Sequence, residues 1–479
     1  MLLRLFVVCA GITALGAAAV PPAGPRILRA GAATSNITPP LGISLDGVIA
    51  QGARATHIHD ELQARCLVLD DGRTRVALVI VDNTVVATEI FERAKALTQA
   101  QTGLPPDRVL LAATHTHSTP RAYAITPQQQ DLEYHEFLAR RIADGIQRAI
   151  NNLAPARVGW GAGKKPEYVF NRRWLIKPET RVPNPFGETT DQVMMNPGYA
   201  HAGLIEPAGP VDPEVSILAL QHLDGRPLAV LASYSVHYIG GTAGAVSSDY
   251  FGAFAEALEH RLKAGRQDPP FVGLMFNGTS GDVNSADYSR RPTPQRPYAR
   301  INEVGDRVAA EVERVYHSIN YQPWVPIEMV ESRLELAVRR PTPERIAWAE
   351  KIWSGTQVRT NLDRRTIYAR ETLEVAKFPA TVQLKIQAIR IGELGIAAVP
   401  CEVFARTGLE IKARSPLSRT FTIGLANGYY GYLPTPRDHE LGGYETWLAR
   451  SSFLEPQASE RIRDEVLRLL AATQSAATR

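Results

Sequence analysis

Uninterrupted apolar runs alternate with helical periodicity in the first third of the chain. The runs at 66–69 and 76–81 flank a turn sequence and predict a hairpin or two adjacent strands. Apolar residues with helical spacing at 90–100 and 132–151 predict two helices, and 109–113 between them predicts a buried strand. This alternation of strand and helix is typical of an α/β fold.

The alternation continues after a long polar segment. Residues 171–213 are rich in proline and glycine and show no period, and connections of that length are commonly binding loops or covers, so we expect this segment to face the substrate. Beyond it, the pattern predicts strands at 215–220, 228–233, 271–276, 325–338, 381–389 and 394–399, and helices at 251–263, 301–316, 341–353 and around 466–470. With no internal repeat or clear linker, we predict one large α/β domain, with mixed β-sheets flanked by helices.

The N-terminus has the pattern of a targeting segment. Arg4 precedes an apolar stretch and then small residues, which predicts a secretory signal peptide over residues 1–19 and a periplasmic or secreted protein. The alternative is a membrane anchor, but the stretch is shorter than the ~20 residues that span a bilayer. The mature chain would then keep Cys66 and Cys401, which could form one disulfide.

Composition narrows the class of partner. Of the 479 residues, 44% are hydrophobic and 21% charged, which is ordinary for a globular protein. The net charge of +4 comes without a dense block of Lys or Arg, so nucleic acid is not indicated as a partner. We expect a small-molecule or lipid substrate and no transmembrane segment; contact with a membrane surface and the oligomeric state stay open.

Two histidines, His115 and His117, follow the predicted strand at 109–113. On a strand, side chains two residues apart share a face, so one imidazole could bind a metal ion while the other meets the substrate. The alternative is a pair of ordinary histidines near the surface. The rest of the chain has to decide between the two.

Short motifs follow in a fixed order over nearly the whole chain. They lie at 32–39 (AATSNITP), 114–118 (THTHS), 171–173 (NRR), 212–216 (DPEVS), 235–237 (SVH), 248–249 (SD), 277–283 (NGTSGDV), 399–402 (VPCE), 424–427 (GLAN), 432 (Y) and 444–445 (YE). In this order they resemble the catalytic region of the neutral/alkaline, non-lysosomal ceramidase family. The resemblance implies a ceramidase-like catalytic domain over residues 28–472.

The resemblance also implies a zinc site. Its ligands would be His115, His237, Glu402 and Tyr432. Nitrogen and oxygen ligands suit Zn²⁺, which would lower the pKa of a bound water to about 7 and polarise a carbonyl group. Taken singly, each residue has another explanation: a core histidine, a charge at a helix N-terminus, or a packing tyrosine.

Three further residues are implied to face the substrate. His117 would transfer a proton between water and the leaving amine, while Arg172 and Tyr444 would donate hydrogen bonds to the carbonyl oxygen. Arg173 is expected to be only a solvated charge. Two acidic residues are expected to orient the metal-binding imidazoles, Asp249 and Asp282.

The chain departs from the family pattern at several places. The family has a catalytic-centre serine after Gly-Asp-Val, where this chain has Asn284, and asparagine cannot form an acyl-enzyme. Attack by metal-activated water is unaffected by this change. Residues 446–449 (TWLA) replace small and polar ones. We also expect the C-terminal immunoglobulin-like domain of the family to be missing.

The expected function is therefore that of a secreted, zinc-dependent amidohydrolase of lipid and sphingolipid metabolism. It would hydrolyse the N-acyl bond of ceramide or a related N-acyl lipid. Two alternatives stay open: a metal-dependent hydrolase or lyase acting on another substrate such as a carbohydrate or ester, and a non-catalytic binding protein.

Overall fold

The computed structural model describes residues 26–45, 52–123, 129–356 and 362–476, so the predicted signal peptide at 1–19 lies outside the described residues. The strands are β1 (Arg29–Asn36), β2 (His57–Ile58), β3 (Gln63–Asp70), β4 (Arg75–Val81), β5 (Val109–Ala113), β6 (Ala154–Lys164), β7 (Phe170–Asn171), β8 (Arg173–Ile176), β9 (Val193–Met195), β10 (Leu204–Pro207), β11 (Glu214–His222), β12 (Pro227–Tyr234), β13 (Ala245–Val246), β14 (Val272–Asn277), β15 (Val283–Asn284), β16 (Ile327–Ala337), β17 (Thr381–Ile391), β18 (Leu394–Ala398), β19 (Glu402–Val403), β20 (Arg419–Ile423) and β21 (Tyr432–Leu433). The helices are α1 (Thr88–Thr102), α2 (Gln129–Asn151), α3 (Asp249–Arg261), α4 (Ala299–Tyr316), α5 (Pro343–Ser354), α6 (Arg364–Ala376), α7 (Ala405–Arg414), α8 (Pro436–Leu441) and α9 (Ala458–Ala476).

Two mixed β-sheets form the centre of the fold. The larger has eight strands in the order β14-β12-β11-β6-β1-β3-β4-β5, with β12 parallel to β14 and β4 parallel to β5. The smaller has the order β16-β17-β18-β20, with β18 parallel to β20. The prediction of an α/β fold with mixed sheets flanked by helices is confirmed.

The sheets pack face to face, which explains the uninterrupted apolar runs. Alternate residues of β4, such as Leu78 and Ile80, pack against the smaller sheet, while Val79 and Val81 pack with α1 and α2 on the outer face. A strand buried on both faces needs apolar side chains at every position. Each such side chain contributes about 1.5–3 kcal/mol when fully buried.

The smaller sheet is covered on its outer face by α7 and α9. In β17, Ile386 and Ala388 pack on that side with Ile462 and Val466, while Ile389 faces the larger sheet. The layers are therefore helix, sheet, sheet and helix. Helices α3 and α4 complete the outer cover of the larger sheet over β11, β12 and β14.

Strand β6 is one element that the sequence pattern did not reveal. Its glycines Gly159, Gly161 and Gly163 lie close to α4 and the residues that follow it: an added Cβ would come within 2.2 to 2.7 Å of the side chains there. Glycine lets strand and helix approach closely but removes the apolar alternation by which a strand is recognised. Helices α6 and α7 were likewise not predicted.

The segment at 171–213, here called the flap, contains three short strands joined by loops. Strands β8, β9 and β10 form a small sheet in the order β10-β8-β9. The sequence pattern did not reveal these strands, because strands of three and four residues are too short to give a detectable period.

Neither cysteine is paired. Cys66 and Cys401 are free, fully buried and in separate core clusters, so the disulfide considered above does not form. Among the described residues, no helix combines the length and apolar character needed to cross a bilayer.

Candidate metal centre

Residues that follow the carboxyl ends of several strands of the two sheets lie close together. His115 and His117 follow β5, His237 follows β12, and Glu402 lies just after β18. Each of these strands belongs to a parallel pair. The carboxyl ends of parallel strands are where α/β folds commonly place ligand sites.

The three imidazoles form a compact cluster. His115 Nε2 is 2.9 Å from His237 Nε2 and 3.4 Å from His117 Nε2. Their ligand atoms all lie within 4.8 Å of one another, so the group could hold a metal ion. His115 and His237 are buried, and His117 is half-buried.

Backbone carbonyls orient two of these rings. His115 Nδ1 lies 2.7 Å from the Thr84 carbonyl oxygen, and His237 Nδ1 lies 3.0 Å from that of Ser280. Because a carbonyl only accepts, each Nδ1 carries the proton, and in the neutral ring Nε2 keeps its lone pair. Both Nε2 atoms therefore carry lone pairs, and the two atoms lie 2.9 Å apart, close enough to bind one ion.

The expectation that acidic residues orient the imidazoles was wrong. The Asp249 carboxylate accepts from the backbone amides of residues 239–240, and the Asp282 carboxylate accepts from Asn171 Nδ2 and the Ala405 amide. These carboxylates fix the loops that carry the site. The backbone carbonyls of Thr84 and Ser280 orient the two rings instead. No sequence motif predicts a contact with a backbone carbonyl.

Glu402 directs one carboxylate oxygen at the imidazoles. Its Oε2 is 3.3 Å from His115 Nε2 and 3.8 Å from His237 Nε2, is buried, and has no hydrogen-bond partner among the described residues. Its Oε1 accepts from the Tyr429 hydroxyl at 2.9 Å. Two imidazole lone pairs and a carboxylate oxygen without a hydrogen-bond partner among the described residues could together hold a metal ion.

Tyr432, the fourth proposed ligand, is brought beside Glu402 by pairing of β19 with β21, in which the two residues are directly opposite. The Arg172 guanidinium lies over the Tyr432 ring, 5.4 Å from its centroid, and the Tyr444 ring is 5.7 Å from it. Glu402 thus lies in a short strand and is not a charge at a helix N-terminus.

Arg172 enters the site as a buried, fixed cation. Its Nη1 donates to His237 Nε2 at 3.0 Å, and its Nε donates to Glu445 Oε1 at 3.0 Å. Burial disfavours the charged guanidinium, but the neighbouring Tyr432, Glu445 and Glu402 outweigh that cost and raise the pKa of Arg172, so it stays charged. Its Nη2 is buried with no hydrogen-bond partner among the described residues.

The expectation that Arg173 is a solvated charge was wrong. Arg173 is 1% exposed and donates from Nη1 to Glu445 Oε2 at 2.8 Å. Its Nη2 also donates to the Gly442 carbonyl at 2.9 Å. Glu445, which sequence reasoning assigned no role, therefore holds both arginines; its position beside Tyr444 in a motif was the available signal.

His117 is stacked on Tyr238, with ring centroids 3.8 Å apart and an angle of 15° between the planes. Burial, with smaller effects of His115 and Arg172, lowers the pKa of His117 well below 6.5, so this imidazole is neutral. Tyr238 adjoins His237 in the sequence, and only the fold shows that it packs on His117.

The backbone at His115 departs from the strand geometry expected for the pair. Strand β5 ends at Ala113, and His115 has a φ of 77°, in the left-handed region that non-glycine residues rarely adopt. The two rings meet because of this turn and not because of strand alternation. Strain of this kind is commonly found at functional sites.

The side chain of Asn284 is occupied by neighbours on the flap side of the site. Its Nδ2 donates to Asn196 Oδ1 at 3.0 Å and lies 3.4 Å from the Tyr288 hydroxyl, and its Oδ1 accepts from the Ala286 amide at 2.9 Å. Asn284 therefore links β15 to the end of β9. None of these contacts is to an imidazole of the cluster.

A cavity of about 170 Å³ is lined in part by Tyr444. Its walls come mainly from the flap, from the Tyr444–Trp447 segment and from the start of α6: Ile176, Val182, Pro183, Asp191, Val193, Met194, Met195, Asn196, Arg364, Gly443, Tyr444 and Trp447. The Trp447 indole donates to Asp191 at 2.7 Å, which ties the segment at 446–449 to the flap. The flap and Tyr444 thus enclose mostly apolar space.

Solved structures and curated proteins resemble this chain. The crystal structure of neutral ceramidase from Pseudomonas aeruginosa superimposes with a TM-score of 0.71 at 19% identity, covering 94% of this chain and 75% of that one. A ceramidase complexed with C2 gives 0.66 at 18% identity, covering 94% and 76%. At such identities the likeness shows the fold.

In sequence, the neutral ceramidase of Pseudomonas aeruginosa is 23% identical over 295 residues, which are 56% of this chain and 40% of the relative. Neutral ceramidase A of Dictyostelium discoideum is 26% identical over 284 residues, 56% of this chain and 35% of the relative. The matched region spans less than half the length of either curated relative.

A sequence match over more than half of the chain shows the family. Residues 28–288, more than half of the chain, match the profile described as neutral/alkaline non-lysosomal ceramidase, N-terminal. The resemblance drawn from the motifs is thereby confirmed. The chain belongs to the neutral/alkaline non-lysosomal ceramidase family.

Proposed function

We propose that this protein is a zinc-dependent amidohydrolase that cleaves the N-acyl bond of ceramide or a related N-acyl lipid. The observation that carries the proposal is the convergence of His115 Nε2, His237 Nε2 and the unpaired Glu402 Oε2 on one point. With Tyr432 alongside, these residues would hold the ion. Bound zinc would supply a Lewis acid that polarises the scissile carbonyl and makes water a better nucleophile.

His117 is the proposed proton carrier. Its imidazole is neutral, lies at the edge of the cluster and is held by stacking on Tyr238. It would accept the proton that water loses on attacking the carbonyl carbon and deliver it to the amide nitrogen as the carbon–nitrogen bond breaks. The products are a carboxylic acid and an amine.

Arg172 and Tyr444 are the proposed donors to the carbonyl oxygen as charge develops on it. Arg172 keeps a buried N–H without a partner among the described residues, at Nη2. Burial, followed by the effect of Glu402, raises the pKa of the Tyr444 hydroxyl, so this group remains a hydrogen-bond donor. Donors fixed before the reaction avoid the cost of reorganising water around the new charge.

Direct attack by water fits the residue at position 284. An asparagine cannot carry an acyl group as a serine could, and the Asn284 amide is already engaged by Asn196 and Tyr288. We propose that Asn284 shapes the site by holding the flap. It would not act as a nucleophile.

The cavity beside Tyr444 is the proposed site of the acyl chain. Its walls include Val193, Met194 and Trp447, whose side chains suit an apolar group, and it adjoins the proposed zinc site through Tyr444. We also propose export of the protein, because residues 1–19 have the pattern of a signal peptide.

The test is product analysis by mass spectrometry. The zinc-loaded protein would be incubated with ceramides, N-acyl amino acids and N-acetylated sugars, beside the double variant His115→Ala/His237→Ala. His260→Ala, an exposed histidine on α3, is the matched control. We expect fatty acid and sphingoid base from the parent and from His260→Ala, and neither product from the double variant.

Other outcomes would redirect or refute the proposal. Cleavage of another member of the panel would keep the chemistry and change the substrate. A product without added water would point to elimination on a carbohydrate, and binding without any product would indicate a binding protein. Equal turnover by the parent and the double variant would refute the proposed metal centre.

A further inference from the structure

Tyr429 contacts the proposed metal ligand Glu402 and has no role in the function proposed above. Its side chain is 4% exposed, and its hydroxyl donates to Glu402 Oε1 at 2.9 Å. We propose that Tyr429 is a positioning residue, which holds the Glu402 carboxylate so that Oε2 alone faces the imidazoles. This inference rests on the proposed zinc site.

The two carboxylate oxygens of Glu402 have different surroundings. Oε1 is occupied by the Tyr429 hydroxyl, whereas Oε2 has no hydrogen-bond partner among the described residues and lies 3.3 Å from His115 Nε2. A carboxylate without the first contact could rotate and offer either oxygen, or both. Hydrogen bonds to a ligand fix its orientation and tune its basicity, and their loss typically weakens metal binding 10- to 100-fold.

A buried polar network fixes the loop that carries Tyr429. Asn427 accepts from Lys95 Nζ at 2.7 Å, donates from Nδ2 to Gln387 Oε1 at 2.7 Å, and donates its backbone N–H to the Leu111 carbonyl at 2.7 Å. Asn427 itself has a φ of 64°, a left-handed conformation that asparagine tolerates better than most residues. These contacts join α1, β17 and β5 to the motif at 424–427, which is thereby given a physical role.

The same loop continues to Tyr432. Between Tyr429 and Tyr432, the Tyr430 backbone N–H donates to the Pro400 carbonyl at 2.8 Å, and the Gly431 carbonyl accepts from the Glu402 N–H at 2.9 Å. The loop is therefore bound to the backbone of the segment that bears Glu402. Backbone hydrogen bonds thus tie the loop to the Glu402 segment, and the Tyr429 hydroxyl adds a side-chain contact to the carboxylate itself.

The experiment compares Tyr429→Phe with Tyr430→Phe. Both remove one hydroxyl from the same loop, but Tyr430 donates to the Gln383 carbonyl and not to Glu402. Phenylalanine keeps the ring that packs edge-on against Tyr123, with centroids 5.2 Å apart, so the first variant isolates the hydrogen bond. Zinc dissociation constants would be measured by competition with a chelator, and the absorption spectra of the cobalt-substituted proteins would report on the ligands.

We expect Tyr429→Phe to bind zinc about 10- to 100-fold more weakly and to alter the cobalt spectrum. Tyr430→Phe should stay within about twofold of the parent. In a Glu402→Ala background, Tyr429→Phe should have no further effect on zinc affinity, because the tyrosine acts through the carboxylate. Circular dichroism of the metal-free proteins would show that each variant is folded.

Different results would overturn the inference about Tyr429 and the proposed zinc-dependent function on which it rests. Zinc affinity and a cobalt spectrum equal to those of the parent would overturn the inference alone, as would an equal loss of affinity in Tyr430→Phe. If Tyr429→Phe does not fold, zinc dissociation constants would be measured for Asn427→Ala, which loosens the loop that carries Tyr429, and for the double variant Asn427→Ala/Glu402→Ala. A loss of zinc affinity in Asn427→Ala that disappears in the Glu402→Ala background would support the inference, and an equal loss in both backgrounds would overturn it. Failure of the parent to bind zinc at all would overturn the proposed metal centre as well.

Discussion

Replacing Glu445 with glutamine should both destabilise the protein and misplace Arg172. Glu445 is fully buried, and its two carboxylate oxygens accept from Arg172 Nε at 3.0 Å and Arg173 Nη1 at 2.8 Å. Glutamine has nearly the same shape but no charge, and it offers one acceptor oxygen instead of two. Two guanidinium groups would be left buried side by side without their shared counter-ion.

The size of the effect follows from these contacts. At an effective dielectric constant of about 20, two unit charges 4 Å apart interact by about 4 kcal/mol, and breaking a buried pair by removing one partner costs about 3–5 kcal/mol. Because the amide oxygen can still accept from one arginine, we expect the Glu445→Gln variant to lose about 3–5 kcal/mol of unfolding free energy and not twice that amount.

The assay is urea unfolding combined with turnover and zinc content. Glu371→Gln is the matched control, because Glu371 is also fully buried and its hydrogen bonds among the described residues come from two other arginines, Arg370 and Arg450. Both variants should be destabilised by similar amounts. Only Glu445→Gln should lose turnover, on the order of 10²- to 10³-fold, with its zinc retained, because the donor Arg172 is no longer held in place.

Two results would refute this reasoning. A loss below about 1 kcal/mol for Glu445→Gln would mean that the arginines do not depend on the shared carboxylate. An equal loss of turnover in Glu371→Gln, at a temperature where both variants are folded, would show that the loss does not come from misplacing Arg172.

Three further predictions follow from buried groups. Gly281→Ala should weaken zinc binding, measured by chelator competition. An added Cβ would lie 2.4 Å from the backbone carbonyl oxygen of Glu402 and would push this residue, and with it the carboxylate, out of position. Cys66 and Cys401 should react with a thiol reagent only after unfolding, because burial raises the pKa of both thiols; rapid labelling of the native protein would contradict this. Burial lowers the pKa of Lys95 to about 7 from 10.5, so the unfolded chain binds more protons between these values and the free energy of unfolding should rise with pH across that window; Lys95→Met, followed by urea unfolding, should lose this rise.

The core elements could be predicted from the sequence because their physics is local. Strand β5 is apolar at every position, and β4 is apolar from Val76 to Val81, because both faces are buried there; recognising that pattern needs no knowledge of the partners. Strand β6 escaped prediction because its glycines serve a neighbouring helix, a reason that lies outside the strand itself. The short strands of the flap were missed for want of length.

The candidate site shows the same division. The motifs pointed to His115, His237 and Glu402, and the fold brings these side chains together from strands far apart in the chain. Their orientation was not predictable, since the atoms that orient the imidazoles are backbone carbonyls, which every residue possesses. The burial of Arg173 was not predictable either, because the sequence shows the charge of this residue but not its partner Glu445.

The sequence by itself determined the fold class, the family and the residue types available for chemistry, because hydrophobic period and ordered motifs are properties of the chain. Only the tertiary structure decided which charges are buried, which oxygen of Glu402 remains unpaired and which tyrosine holds it. Those facts depend on contacts between residues that are 27 positions apart for Tyr429 and Glu402 and 272 apart for Arg173 and Glu445. The free energy of a charge or a lone pair is set by such neighbours in space and not by its neighbours in sequence.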